Sequence, residues 1–328
     1  MEVLTQPVSL ADIRQAAERI RPFVLATPLV SGESITGPGS WFKLENLQRT
    51  GSFKVRGAVN AVLQLSDDQR RRGVITLSAG NHGAALAYAA QAQGIPCVVV
   101  VREDASMAKL DAIRRYGAEV VLVPLPDWQA RLEGEQQRRG LHLVHPFDDP
   151  AVIAGQGTVG LEVIEAMPEV RTVIVPVGGG GLIAGIACAI KEQRSTVRVV
   201  GIEPEAAPAV SESLAAGAPV PPSRLDTIAD ALAPPYTRPR NLAMIRRYVD
   251  GVRLVGDESI RHAVKALALS SKLVAEPGGA ASVAGFLLNE SELERPAVIV
   301  ISGGNLDGAR LASMLVEKKI PGVGTPGD

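Results

Sequence analysis

Thr172-Val-Ile-Val-Pro-Val-Gly-Gly-Gly-Gly-Leu-Ile-Ala-Gly-Ile-Ala-Cys-Ala-Ile190 runs 19 residues without a charge. By length alone it would pass as a membrane span. Pro176 and the four successive glycines Gly178, Gly179, Gly180 and Gly181 would break such a helix in its middle, whereas a strand, a glycine turn and a helix account for every residue. The same unit recurs on both sides. Upstream, Val74 to Leu77 precede the helical segment Ala84 to Gln93, Val98 to Val101 precede Ala108 to Arg115, and Val120 to Val123 follow. Downstream come Val197 to Ile202, then Ala297 to Ile301 before Ala309 to Glu317. Short β-branched runs alternating with alanine-rich helices predict an α/β fold built on parallel sheets.

The chain has 328 residues, 46% of them apolar, enough for two lobes around substantial cores. His145-Pro-Phe-Asp-Asp-Pro150 is turn-rich and suits a passage between them. Ala215 to Pro239 is a second soft region, and a loose tail is expected after Ile320. Ser9, with Asp12 three residues on, reads as the cap of an opening helix that Pro22 closes. Lys plus Arg number 34 and Asp plus Glu 35, a net charge of −1 with no long basic run, so nucleic acid is not an expected partner. Cys97 and Cys188 lie far apart in apolar runs and read as buried thiols in a reducing cytoplasm. Met1 to Leu10 lacks the basic and apolar regions of a secretory signal.

Ligands of open parallel sheets bind beyond the carboxyl ends of the strands. Three such places carry glycine: Ser78-Ala-Gly-Asn-His-Gly83, Gly178 to Gly181, and Ser302-Gly-Gly-Asn305. Bare backbone at the start of a helix, with about half a positive charge from the helix dipole, suits a phosphate. A turn that binds nothing rarely needs four glycines in a row. Gly179-x-Gly181-x-x-Ala184 also matches the dinucleotide fingerprint, with Glu203 after a strand about 20 residues on, so a nicotinamide oxidoreductase is the rival class. That rival gives no task to Gly51-Ser-Phe-Lys-Val-Arg-Gly57 or to the other two glycine turns.

Lys43-Leu-Glu-Asn-Leu-Gln48, Gly51-Ser-Phe-Lys-Val-Arg-Gly57, Ser78-Ala-Gly-Asn-His-Gly83, Gly155-Gln-Gly-Thr158, Gly178 to Gly181, Glu276-Pro-Gly-Gly-Ala280 and Ser302-Gly-Gly-Asn305 together resemble the pyridoxal-phosphate-dependent serine/threonine dehydratase and serine racemase group, of fold type II. The resemblance implies two lobes, each an open, mostly parallel twisted sheet with helices on both faces, and pyridoxal 5'-phosphate in the cleft between them. It divides the chain into a discontinuous cofactor domain, residues 1–62 and 149–320, and a substrate-loop domain, residues 63–148. Of eight lysines, Lys54 resembles the one that holds the cofactor as a Schiff base and then serves as general base, with Lys43 as fallback. Phe53 lies near the ring, Asn81 bonds its 3-oxygen, Gly178 to Gly181 grip the phosphate, and Ser302 partners the ring nitrogen. Ser78, Ala79, Gly80, Asn81 and His82 take the substrate carboxylate, with the His82 side chain either touching substrate or bracing the loop. His142, His145 and His262 are expected to be structural. The implied activity is loss of water from a small 3-hydroxy amino acid, giving a 2-oxo acid and ammonia, in a homodimer.

The chain departs from the group in three ways. Where racemases carry a serine that works the opposite face of the substrate, Ala79 offers a methyl group, which favours dehydration over racemisation. A divalent-cation site would use Glu203 and a carboxylate six residues on, but Ala209 stands there, so no metal site is assigned. The chain stops near the end of the catalytic part, so feedback through an added module is not expected. The distal substrate pocket falls to Pro124 to Arg131 and Asp226 to Tyr236, where Trp128 and Arg131 could face a side chain or simply open a solvated helix.

Overall fold

A computed structural model describes residues 7–316, with the exception of Ala79. The tail after Ile320, Glu317 and the roles expected of Ala79 lie outside the described residues. Ten strands form two sheets. The first contains β1 (Leu29–Ser31), β2 (Ser40–Leu44), β7 (Thr172–Pro176), β8 (Arg198–Pro204), β9 (Gly251–Val255) and β10 (Ala297–Ile301), in the order β1-β2-β10-β7-β8-β9. The second contains β3 (Val74–Leu77), β4 (Cys97–Arg102), β5 (Glu119–Val123) and β6 (His142–Leu143), in the order β5-β4-β3-β6. Every pairing is parallel except β1 with β2, an antiparallel edge that the βαβ rhythm did not predict.

Both sheets are covered on both faces, and the alternation of strand side chains shows it. Val173 and Val175 of β7 and Val298 and Val300 of β10 join one core, while Ile174, Ile299 and Ile301 join another on the opposite face. In the smaller sheet Val99 and Val101 of β4 face one way, and Val98 and Val100 the other. Continuous β-branched runs are what such doubly buried strands require.

The opening helix, Leu10–Ile20, carries the expected cap: Asp12 N donates to Ser9 Oγ and Ser9 N to Asp12 Oδ2. Two long helices, Pro150–Ala166 and Pro277–Leu288, were not legible because glycines interrupt them. Interior glycine weakens a helix by about 1 kcal/mol relative to alanine. The contact repays it: a Cβ on Gly155 would lie 2.6 Å from the Cα of Gly57, so the helices Pro150–Ala166 and Lys54–Leu63 touch backbone to backbone.

In each sheet the strand order reverses once, between β7 and β10 in the larger and between β3 and β6 in the smaller. Ligand crevices of open α/β sheets form at such reversals. The turn Gly178 to Gly181 follows β7 and Ser302 follows β10; the turn Ser78 to Gly80 follows β3 and His145 to Asp148 follow β6. Among the described residues no helix is long and apolar enough to cross a membrane.

Candidate active site

Lys54 is the first residue of the helix Lys54–Leu63, and its placement is set from behind. Ser52 pairs with Gly303, Phe53 N donates to Ser302 O at 3.0 Å, and Gly304 N donates to Gly51 O at 2.9 Å, so the segment is stitched to the loop after β10. One turn into the helix, Arg56 is 1% exposed and bonds Glu45 through Nε and Nη2, both at 2.8 Å, and Glu162 at 2.6 and 2.9 Å. Lys43 completes the cluster, its Nζ 2.5 Å from Glu162 and 2.7 Å from Thr27 O. Burial works against the charge on Glu45, but Arg56 beside it holds the carboxyl below its ordinary value. Removing one partner of such a cluster costs about 3–5 kcal/mol, since the others stay buried and charged. The fallback lysine is thus consumed in the scaffold that orients Lys54.

Lys54 Nζ donates to Pro146 O at 2.7 Å and lies 5.1 Å from the centre of the Phe53 ring. Burial pulls its pKa from 10.5 to about 8, although Glu276 opposes the shift. An amine there is a far better base near neutral pH than a surface lysine.

The turn Gly178 to Gly181 is held from its outer side. Gly179 O accepts from Asn241 Nδ2 at 2.8 Å and from Thr237 Oγ1 at 3.1 Å, and a Cβ on Gly179 would sit 2.5 Å from the Phe147 ring. Gly180 has φ +92°, a conformation that favours glycine. The N–H groups of Gly178 to Gly181 have no hydrogen-bond acceptor among the described residues, and the helix Gly181–Lys191 starts there. Unpaired donors at a helix start, in a turn that admits no side chains, fit a phosphate. Ser302, 4% exposed, has only a long 3.5 Å contact to Gly278 O and so keeps a hydroxyl to offer a ring nitrogen.

A second glycine-containing segment follows β3. Gly80 N donates to Ser78 Oγ at 3.2 Å, and a Cβ on Gly80 would meet nothing within 4 Å. Asn81 opens the helix Asn81–Ala92; its Nδ2 donates to Glu276 Oε1 at 2.5 Å and its Oδ1 accepts from Asn305 Nδ2 at 2.7 Å. His82, 2% exposed, meets Val144 O through Nε2 at 3.0 Å, which makes Nε2 the protonated nitrogen and leaves Nδ1 a buried acceptor without a partner. Burial first, and the Lys54 charge second, lower its pKa to about 3. Of the other histidines, His145 takes the N–H groups of Phe147 and Asp148 on Nδ1, His142 meets Gln69, and His262 sits beside Glu258 on an exposed helix.

Phe53 and Lys54 are thus stitched to Ser302 and Gly303, Phe147 beside Pro146 packs on Gly179, and Asn81 at the start of the helix after β3 bonds Glu276 and Asn305. Glu276 and Asn305 lie in glycine-rich motifs whose sequence assigns them no role; both bond Asn81. Trp128 packs against the core that includes Ile75 and Leu132, its Nε1 buried and unpartnered, while Arg131 turns to Glu135 at 3.2 Å. Glu203 accepts from Val210 N, Ser211 N and Ser211 Oγ at 2.6–2.9 Å, at the start of the helix Ala209–Ala216. Burial raises its pKa to about 7. No group of three or more His, Cys, Asp or Glu residues suited to a metal occurs among the described residues.

A partly buried amine of lowered pKa, together with a glycine turn of unpaired N–H groups suited to an anion, fits an enzyme that carries a phosphorylated aldehyde cofactor. The chain matches the family model described as pyridoxal-phosphate dependent enzyme over residues 20–303, and it belongs to that family. It is 42% identical over 318 residues to an L-threonine ammonia-lyase of Geobacter sulfurreducens, spanning 95% of this chain and 79% of the relative. Among solved structures it resembles a T.th. threonine deaminase, with TM-score 0.87, 38% identity and coverage of 91% of this chain and 99% of that one. It also resembles maize serine racemase, with TM-score 0.87, 35% identity and coverage of 94% and 97%. The protein is therefore a pyridoxal-phosphate-dependent enzyme of fold type II.

Proposed function

We propose that the chain removes water from a small 3-hydroxy amino acid of the threonine or serine type, yielding a 2-oxo acid and ammonia. The observation that supports the reading is Lys54 Nζ, partly buried and of lowered pKa, bonded to Pro146 O next to the Phe147 that packs on Gly179 of the glycine turn. The similarity to L-threonine ammonia-lyases supports it. Pyridoxal phosphate, when bound, supplies the electron sink for the substrate's α-carbon.

The rest falls to this chain's residues. Lys54 holds the cofactor through its amine and, once free, takes the α-proton at Nζ. Gly178 to Gly181 bind the phosphate through their N–H groups, Phe53 lies near the ring, Ser302 faces the ring nitrogen and Asn81 the 3-oxygen. A hydroxyl does not protonate the ring as a carboxylic acid would, which favours prompt loss of the β-hydroxyl over a long-lived carbanion. Ser78 and the N–H groups from Ala79 to His82 take the substrate carboxylate. His82, neutral and with Nε2 committed to Val144 O, braces this loop. The hydroxyl departs as water, and hydrolysis of the product enamine releases ammonia.

Racemisation is the second reading, favoured by the likeness to maize serine racemase. It needs a second proton carrier, and the methyl group of Ala79 is none. The enzyme is taken to be a cytoplasmic homodimer; two buried, unpaired thiols, Cys97 and Cys188, suit a reducing compartment, and the dimer rests on analogy.

Incubating the holoenzyme with serine, threonine and 3-hydroxyaspartate and assaying oxo acid and ammonia tests the reading. Borohydride should bleach the chromophore and fix label on Lys54, and Lys54→Ala should cut turnover at least about 10³-fold while the fold persists. A coloured protein that releases no oxo acid from any of the three would end it.

A further inference from the structure

The side chain of Asn81 is held at both ends by residues that border the larger sheet. Its Nδ2 donates to Glu276 Oε1 and its Oδ1 accepts from Asn305 Nδ2, which also reaches Thr50 O at 2.8 Å. Asn81 follows β3 of the smaller sheet, whereas Glu276, Asn305 and Thr50 border the larger one. Glu276 is 7% exposed, and its place is built for it: its N–H donates to Gly303 O at 3.1 Å, and a Cβ on Gly303 would fall 2.1 Å from Glu276 Oε1. Around it stand Lys54, Asp230, Lys109 and Arg310, with Asp230 itself paired to Lys109 at 2.7 Å and to Arg310 at 3.3 Å.

We propose that Glu276 is a positioning residue of the active site, which together with Asn305 locks the Asn81 amide in one orientation and leaves a single Nδ2 hydrogen for the cofactor ring. Flipping the amide would set its carbonyl against the Glu276 oxygen and its N–H against the Asn305 N–H, losing two hydrogen bonds and opposing like poles twice. With one partner a flip would cost one hydrogen bond; with both it costs two, so the preference for one orientation is doubled. Because every partner of the amide comes from the other side of the cleft, the lock exists only while the two sheets are held together, and the Lys109–Asp230 pair spans the same gap. The inference rests on the reading of Asn81 as a cofactor contact.

The test reads the holoenzyme by the position of its visible absorption band and by the division of effect between kcat and KM for threonine. Glu276→Ala should move the band and lower kcat about tenfold with KM little changed. Glu276→Gln, whose carbonyl still accepts from Asn81, should restore the band and most of kcat. Asn305→Ala, which removes the opposite lock, should move the band in the same direction as Glu276→Ala. Three variants that only melt earlier, with the band of the folded holoenzyme in place, overturn the proposal; so does a Gln variant as impaired as the Ala one. If Glu276→Ala does not fold, Asn305→Ala against Glu276→Gln carries the same decision. A wild-type protein that shows the band yet releases no oxo acid would fail the reaction reading while leaving the band test intact.

Discussion

After β7 the chain passes through Gly178 to Gly181 into a helix, and after β3 it passes through Ser78 to Gly80 into another, yet the two turns are supported in opposite ways. The first is packed from behind: Phe147 lies where a side chain of Gly179 would go, and Thr237 and Asn241 hold its carbonyl. The second is open, with nothing within 4 Å of a Cβ on Gly80, and the Asn81 side chain beside it is tied across the cleft. The difference matches the partners each turn is read to have. A cofactor that stays bound through every cycle gains from a rigid cradle, while a substrate that enters and leaves needs a wall that can yield.

The sharpest way to break this contrast is Gly179→Val. Its side chain would meet the Phe147 ring, an overpacking that costs about 1–3 kcal/mol, and would distort the unpaired N–H groups. We expect a lower melting temperature and cofactor affinity down at least about tenfold; wild-type affinity in a titration of the apoprotein would show that the cradle is not rigid. Ser78→Ala should act on the other partner, raising KM for the amino acid about fivefold to tenfold while cofactor affinity holds. Gly80→Ala, in open space, should move the melting temperature hardly at all, a change of under about 0.5 kcal/mol, which calorimetry resolves.

The smallest effect concerns the apoprotein. The Lys54 pKa is lowered from 10.5 to about 8, so across that window the unfolded chain binds more protons than the folded one. Stability therefore rises with pH between those values and is diminished below them, where the enclosed amine must carry its charge. Lys54→Met should flatten that slope relative to wild type in denaturant titrations; equal slopes would mean that the amine is not enclosed.

Much of the fold was legible because β-branched runs and glycine turns are local signals. β7, β10 and the turn between Val177 and Leu182 needed no partner to be recognised. What stayed hidden was of two kinds. The helices Pro150–Ala166 and Pro277–Leu288 carry glycines that lower local helix propensity and are explained only by the neighbours they allow, as at Gly155 against Gly57. The task of Glu276 depends on Asn81, 195 residues away along the chain. No periodicity or spacing reports a contact of that kind.

The amino-acid order by itself determined the alternation of strand and helix, the bare turns that can accept an anion, and the lysine that opens a helix where a positive charge is poorly placed. Tertiary structure alone decided which of those features meet. It paired Glu203 with the start of its neighbouring helix and Glu276 with the cleft, though burial raises both to about 7. The physical reason is that a carboxylate's chemistry is set by its partners and its access to water, and chain reversal between sheets, not sequence distance, brings those partners together.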